Sequence, residues 1–215
     1  MPETTPGFAE EAFDADDLPG AHAQAETSTT PSGQTPSQTV GPFFGYALPY
    51  PGGPDVRAPW QPDAIRVHGV VSDGAGEPTP DAIVEIWGAD AAGRPSTERG
   101  SFHRDPHGFA GFGRAAVDRA GHYSFTTIKP GPAREGSAPY LVVALFARGV
   151  THHLFTRAYF GDEAEANAVD PLLSRIGADR RDTLVARPDA PRSYRFDLRL
   201  QGEGETVFLD FGTEV

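Results

Sequence analysis

The chain has 215 residues and a formal net charge of −12, with 18 Lys and Arg against 30 Asp and Glu. That balance argues against a nucleic-acid binder, because a phosphate backbone needs concentrated positive charge. The absence of Cys excludes disulfide scaffolds, Cys-ligated zinc and thiolate nucleophiles. The 25 Gly and 21 Pro make about a fifth of the chain, which disfavours long helices and suits many short strands.

The charge is unevenly spread. Residues 1–56 hold eight acids and no Lys or Arg, so the remainder carries a net charge of only −4. Residues 1–34 are rich in Ala, Glu, Asp, Thr, Ser, Pro and Gly, with Phe8 and Phe13 as their only aromatics. Such a segment buries too little apolar area to offset its backbone entropy. It is expected to be a disordered acidic leader. It lacks the basic and apolar regions of a secretion signal. The longest apolar run is Tyr140–Ala147, far short of the roughly 20 residues of a membrane span. A cytoplasmic location follows as the expectation.

From Thr35 the composition changes, and one domain is expected over 35–215. It opens with an extended arm over 35–60, where Pro36 and Pro42 disfavour helix. In an extended arm Phe43 and Phe44 would point to opposite sides.

Strands follow in order. Ile65–Val71 sets Ile65, Val67 and Val71 on one face. Ala82–Gly88 is the next, and His122–Ile128 alternates again. Tyr140–Ala147 is apolar on both faces and reads as a central strand. Leu154–Phe160 is another. Tyr194–Leu200 alternates most cleanly, with Tyr194, Phe196, Leu198 and Leu200 inward. The turn Gly202–Glu205 predicts a hairpin to Thr206–Phe211. Only Asp162–Val169 reads as helix, with acids at its start. The expected fold is all-β: an antiparallel β-sandwich with long excursions at 95–115 and 161–190 and one short helical stretch.

Candidate chemistry is sparse. His152 and His153 are neighbours, so in a strand they would face opposite ways. His103 and His107 are spaced i, i+4, but Asp105-Pro106 and Gly108 oppose a helix there. There is no phosphate-binding loop, dinucleotide fingerprint or nucleophile elbow. Lys129 sits in a Pro-Gly turn and is expected to face solvent. Arg148 closes the most apolar strand and can present a fork of donors to a carboxylate.

Several motifs occur in order: Thr35-Pro-Ser-Gln-Thr-Val-Gly-Pro-Phe-Phe44, Trp87-Gly-Ala-Asp-Ala-Ala-Gly-Arg94, Phe109-Ala-Gly-Phe-Gly-Arg114, Ile128-Lys-Pro-Gly131, Leu145-Phe-Ala-Arg-Gly149, Arg157-Ala-Tyr-Phe160 and Tyr194–Phe211. Together they resemble the intradiol ring-cleavage dioxygenases over about residues 35–211. The likeness is strongest to the α chains of the two-chain members. It implies a prealbumin-like β-sandwich. In the catalytic chains two tyrosines and two histidines hold a ferric ion, and O2 cleaves a catechol between its hydroxyls.

Mapped onto this sequence, the second ligand tyrosine becomes Ala133 and the two histidines become Tyr140 and Val142. The window for the first tyrosine, around Ser101, contains no tyrosine. The resemblance therefore implies a chain that binds no metal and has no catalytic residue of its own. It would pair with a homologous β subunit bearing Fe(III), in αβ pairs of a larger assembly. The implied substrate is protocatechuate, opened to 3-carboxy-cis,cis-muconate. Thr39, Gly41, Pro42 and Arg148 are the residues implied to face it across the interface. Two alternatives stay open: a stand-alone enzyme with unusual ligands, and a non-enzymatic prealbumin-like binding module.

Overall fold

The computed structural model describes residues 37–96 and 104–210. The expected leader, Ser101 and His103 lie outside the described residues. Among the described residues nine strands dominate: β1 Ala64–Ser72, β2 Ile83–Trp87, β3 Phe112–Ala116, β4 His122–Ile128, β5 Tyr140–Phe146, β6 Leu154–Phe160, β7 Val185–Ala190, β8 Ser193–Arg195 and β9 Leu198–Arg199. Their hydrogen-bonded order is β3-β2-β5-β6-β7-β8-β1-β4, with β9 also on β1.

The expected all-antiparallel pairing is corrected. The pairs β6–β7, β1–β8 and β1–β9 are parallel, so the sheet is mixed. The reason lies in the connections. Parallel neighbours need a long crossover, and the chain between β6 and β7 supplies one. The single helical stretch is corrected as well. Among the described residues there are three short helices, α1 Phe44–Ala47, α2 Ala164–Val169 and α3 Ala178–Arg181, with 3-10 turns at Leu173–Arg175 and Asp182–Leu184. Helix α1 falls inside the arm expected to be extended. Pro42 just ahead of it does not prevent this, because a proline at a helix start loses no intrahelical bond. Phe44 is buried and Phe43 exposed.

The core explains why strand alternation was readable. Val67 and Phe125 from β1 and β4 share one apolar cluster with Val84, Ile86, Leu141 and Val143 from β2 and β5. Strand β5 lies between β2 and β6, with Leu141 and Val143 to Leu145 buried. A smaller cluster of Ala138, Tyr159, Leu173 and Leu184 seats the crossover on β6.

The run Tyr194–Leu200 keeps its predicted facing, but it is two strands interrupted at Phe196–Asp197. There the Phe196 carbonyl lies against Gly69, where any Cβ would collide with it. The Asp197 carboxylate accepts the Val70 N–H at 3.0 Å, replacing a main-chain acceptor. The expected hairpin is limited to its first pair, in which the Thr206 N–H donates to the Arg199 carbonyl at 3.0 Å and Thr206 Oγ1 accepts the Arg199 N–H at 2.9 Å. Leu209 instead bridges Phe155, and Thr156 Oγ1 donates to the Val207 carbonyl at 2.7 Å. Strand β7 covers β6 only at Tyr159 and Phe160, so the rest of that edge is available to the C-terminal segment.

Lys129 is not a solvent-facing turn lysine. Its ammonium pairs with Asp162 at 2.9 Å and Glu163 at 2.5 Å and lies over the rings of Phe160 and Tyr194. Burial pulls its pKa down, but the bonds to Glu163 and Asp162 hold it above the ordinary value.

Burial pushes the phenols of Tyr123, Tyr159 and Tyr194 above the ordinary tyrosine value, Tyr159 to about 12. Such groups stabilise the fold fully below the unfolded value near 10, and the stabilisation fades as pH rises through the folded values. Urea midpoints should therefore fall steeply between about pH 10 and about pH 12, together with the rise of phenolate absorbance. Tyr159→Phe should make that fall shallower.

Candidate functional site: an aromatic-walled cavity and an arginine turn at opposite ends of one strand

The three positions counted onto metal ligands come together in space. Ala133, Tyr140 and Val142 line one cavity of about 180 Å³, along with Trp87, Pro95 and Gly111. Gly131, also at this cavity, packs so closely on Ala91 and Gly93 that a Cβ would not fit. The loop beside it is set by Asp90, whose side chain accepts the N–H groups of Ala92 and Arg94 at 2.9 Å each. So the spacing that singled out these residues has a structural counterpart.

The donor set does not suit a ferric ion. Alanine and valine offer no ligand atom, and one phenol cannot hold the metal. Tyr140 is also engaged otherwise. The Arg157 guanidinium carbon lies 4.1 Å from the centre of its ring. Among the described residues no three His, Cys, Asp or Glu side chains are grouped as metal ligands would be.

Arg148 lies at the other end of β5. Strand β5 itself, from Tyr140 to Phe146, spans about 20 Å at strand rise, and Arg148 sits two positions past its end, in the turn that follows. The side chain is well exposed, and its Nε pairs with Asp81 Oδ2 at 2.9 Å. The next residue, Gly149, has φ +90, which glycine adopts without strain. Its N–H donates to Thr39 Oγ1 at 2.8 Å. Ser37 Oγ lies 2.9 Å from His152 Nε2. The arm is thus tied to the turn that carries Arg148. Two candidates from the sequence, Thr39 and Arg148, are brought together through Gly149. Gly41 and Pro42 follow on the same arm, exposed, and a Cβ on Gly41 would meet nothing within 4 Å.

The histidine pair next to this turn divides as its adjacency implied. His152 meets the arm, while His153 stacks on Phe146 and meets Phe155 edge-on.

Farther along, two arginines clamp the arm to the body. Arg104 donates to the Gly52 and Gly53 carbonyls at 3.1 and 2.9 Å and to Tyr50 Oη at 2.6 Å. Arg114 pairs with buried Glu85 at 2.6 Å and donates to the Leu48 carbonyl at 2.8 Å. Sequence reasoning missed both clamps. Their partners lie 29 or more positions away, beyond the reach of any local pattern.

Comparison with known proteins fits this geometry. A family model described as "Dioxygenase" matches residues 61–202. The protocatechuate 3,4-dioxygenase alpha chain of Burkholderia cepacia is 42% identical over 193 residues, covering 82% of this chain and 97% of that protein. The corresponding alpha chain of Pseudomonas putida is also 42% identical, over 83% of this chain and 96% of its own. The beta chain of the Burkholderia cepacia enzyme is 33% identical over 67% of each chain. Among solved structures, the dioxygenase domain of a carbohydrate-binding fusion from Streptomyces sp. SirexAA-E superposes with a TM-score of 0.52 at 25% identity, covering 78% of this chain and 98% of that one. Fold, the meeting of the counted positions in one cavity and the relatives agree: the chain belongs to the intradiol ring-cleavage dioxygenase family.

Proposed function

We propose that this chain is the iron-free α subunit of a protocatechuate 3,4-dioxygenase. It pairs with a homologous β subunit that holds Fe(III) and opens protocatechuate with O2 between its hydroxyls. The observation that carries this reading is the cavity where Ala133, Tyr140 and Val142 meet with one phenol and no imidazole. The high coverage of both alpha-chain relatives supports it.

In this reading the strands form the two layers of a prealbumin-like sandwich, preceded by an acidic leader over 1–34, in a cytoplasmic enzyme. The arm and the arginine turn serve the partner's pocket. Arg148 meets the substrate carboxylate, and Thr39, Gly41 and Pro42 form the pocket wall beside it. Arg148 and Thr39 are solvent-exposed in the single chain and physically coupled through Gly149. Net charge −12 would repel an anionic substrate, so a positive group at the point of entry has a clear purpose. The body's own charge is mild, and the carboxylate paired with Arg148 is that of Asp81.

The test is metal content in two preparations. The full chain purified alone should hold far less than one iron per chain and show no ring cleavage. Co-expressed with its β partner, it should yield an iron-coloured complex with about one iron per αβ pair. Stoichiometric iron and activity in the chain alone would overturn the reading.

A further inference from the structure

The cavity that cannot hold the family's metal adjoins a pocket rich in arginine. That second pocket, of about 290 Å³, is lined by Arg134, Arg157 and Arg175, with Glu135, Asp170 and Tyr140. Tyr140 lines both spaces, and Ala133 and Arg134 are successive residues, so the two share a wall.

The charges here are not balanced by pairing. Asp170 is buried, and its two oxygens already accept four hydrogen bonds, from Ala138, Tyr159, Leu172 and Leu173. Arg157 is held over the Tyr140 ring and donates to Tyr159 Oη at 3.2 Å. Arg134 and Arg175 are exposed, and no carboxylate lies within salt-bridge distance of either among the described residues. In an acidic protein, two unpaired guanidinium groups at one mouth mark a place for an anion. Among the described residues Glu135 is the one remaining charge on the wall, and it is exposed.

The neighbouring cavity states what the anion is attached to. Its walls are Trp87, Pro95, Ala133, Val142 and the Tyr140 ring, with glycine backbone between them. At about 180 Å³ it exceeds the roughly 150 Å³ in which an apolar cavity takes up benzene. From these features we infer that the paired spaces bind a monocyclic aromatic carboxylate, with its ring against Tyr140 and Val142 and its carboxylate towards Arg134 and Arg175. Among the described residues no metal-ligand set or general base lines this cavity, so the inferred role is binding and not turnover.

This inference does not rest on the role given to Arg148, which lies in the turn past the far end of β5, beyond about 20 Å of strand. Titration calorimetry on the full chain, with benzoate as the probe, tests it. Benzoate should bind saturably, with a Kd of about 0.1–1 mM. Benzamide, which lacks the charge, and acetate, which lacks the ring, should each bind at least about tenfold more weakly. Ala133→Phe, which fills the cavity, should abolish binding. The exposed pair Arg134→Ala with Arg175→Ala should weaken benzoate about tenfold or more while leaving benzamide unchanged. Arg148→Ala should leave benzoate binding intact. The inference is overturned if benzoate does not saturate, if acetate equals it, or if binding survives Ala133→Phe and disappears in Arg148→Ala. Failure of the Arg148 role, by contrast, would show only in turnover with the β partner.

Discussion

Asp170→Ala should destabilise the chain by about 3–5 kcal/mol, the cost of removing a buried charge whose partners stay behind. The Asp170 side chain is the knot of the crossover. One carboxylate oxygen accepts the N–H groups of Leu172 and Leu173 at 2.9 and 3.1 Å and the Tyr159 hydroxyl at 3.1 Å. The other accepts the Ala138 N–H at 3.0 Å. Alanine would orphan three main-chain donors and a phenol at a site that is 1% exposed. Asp170→Asn should cost less, about 2 kcal/mol, because its carbonyl can keep the first set while its amide meets the Ala138 N–H donor to donor. Urea unfolding of the three proteins measures the order. A loss below about 1 kcal/mol for the alanine variant would mean that water replaces the carboxylate. The damage should extend to the cavity, since Ala138 leads directly into Tyr140.

Much of the fold could be read from alternation alone, and the exceptions share a cause. Strands β1, β4, β5 and β6 carry their facing in their own residues, and the structure places each within about a residue of the expected limits. Strands β3 and β7 do not. Phe112–Ala116 contains Gly113 and Arg114, and Val185–Ala190 contains Arg187, Pro188 and Asp189. Neither alternates. Strand β3 forms because β2 pairs along its length and Glu85 takes Arg114. Strand β7 forms because β6 and β8 flank it. These are long-range causes that override weak local preference.

The candidate site divides in the same way. Arg148 was visible as a cation closing an apolar strand, and Thr39 through its motif. The convergence of Ala133, Tyr140 and Val142 was legible only through the family's spacing, because alanine and valine announce nothing chemically. The arginines at 134, 157 and 175 come from three separate segments, so no window of sequence contains them.

In the proposed reading the two ends of β5 carry different tasks, and the decisive measurement is at the Arg148 end. In the complex with its β partner, Arg148→Ala should raise KM for protocatechuate by about 10- to 100-fold, the worth of a charge-assisted pair with a carboxylate. The kcat should change little. The carboxylate is remote from the bond that breaks, so the guanidinium holds ground state and transition state equally. Arg148→Lys should recover only part of the loss, since an ammonium cannot offer the planar fork. Asp81→Asn gives a second, independent handle. Asp81 holds the Nε of Arg148 at 2.9 Å, fixing the side chain while competing for its charge. If orientation dominates, the variant raises KM; if competition dominates, KM falls. Either shift should be only a few-fold, because the pair is more than half exposed on the arginine side and solvent screens it. Thr39→Val removes the acceptor of the Gly149 N–H and frees the turn from the arm, so it should raise KM without touching the charge. An unchanged KM in Arg148→Ala, with the αβ complex intact by gel filtration, would remove this residue from the substrate's path and leave Asp81 as its sole partner.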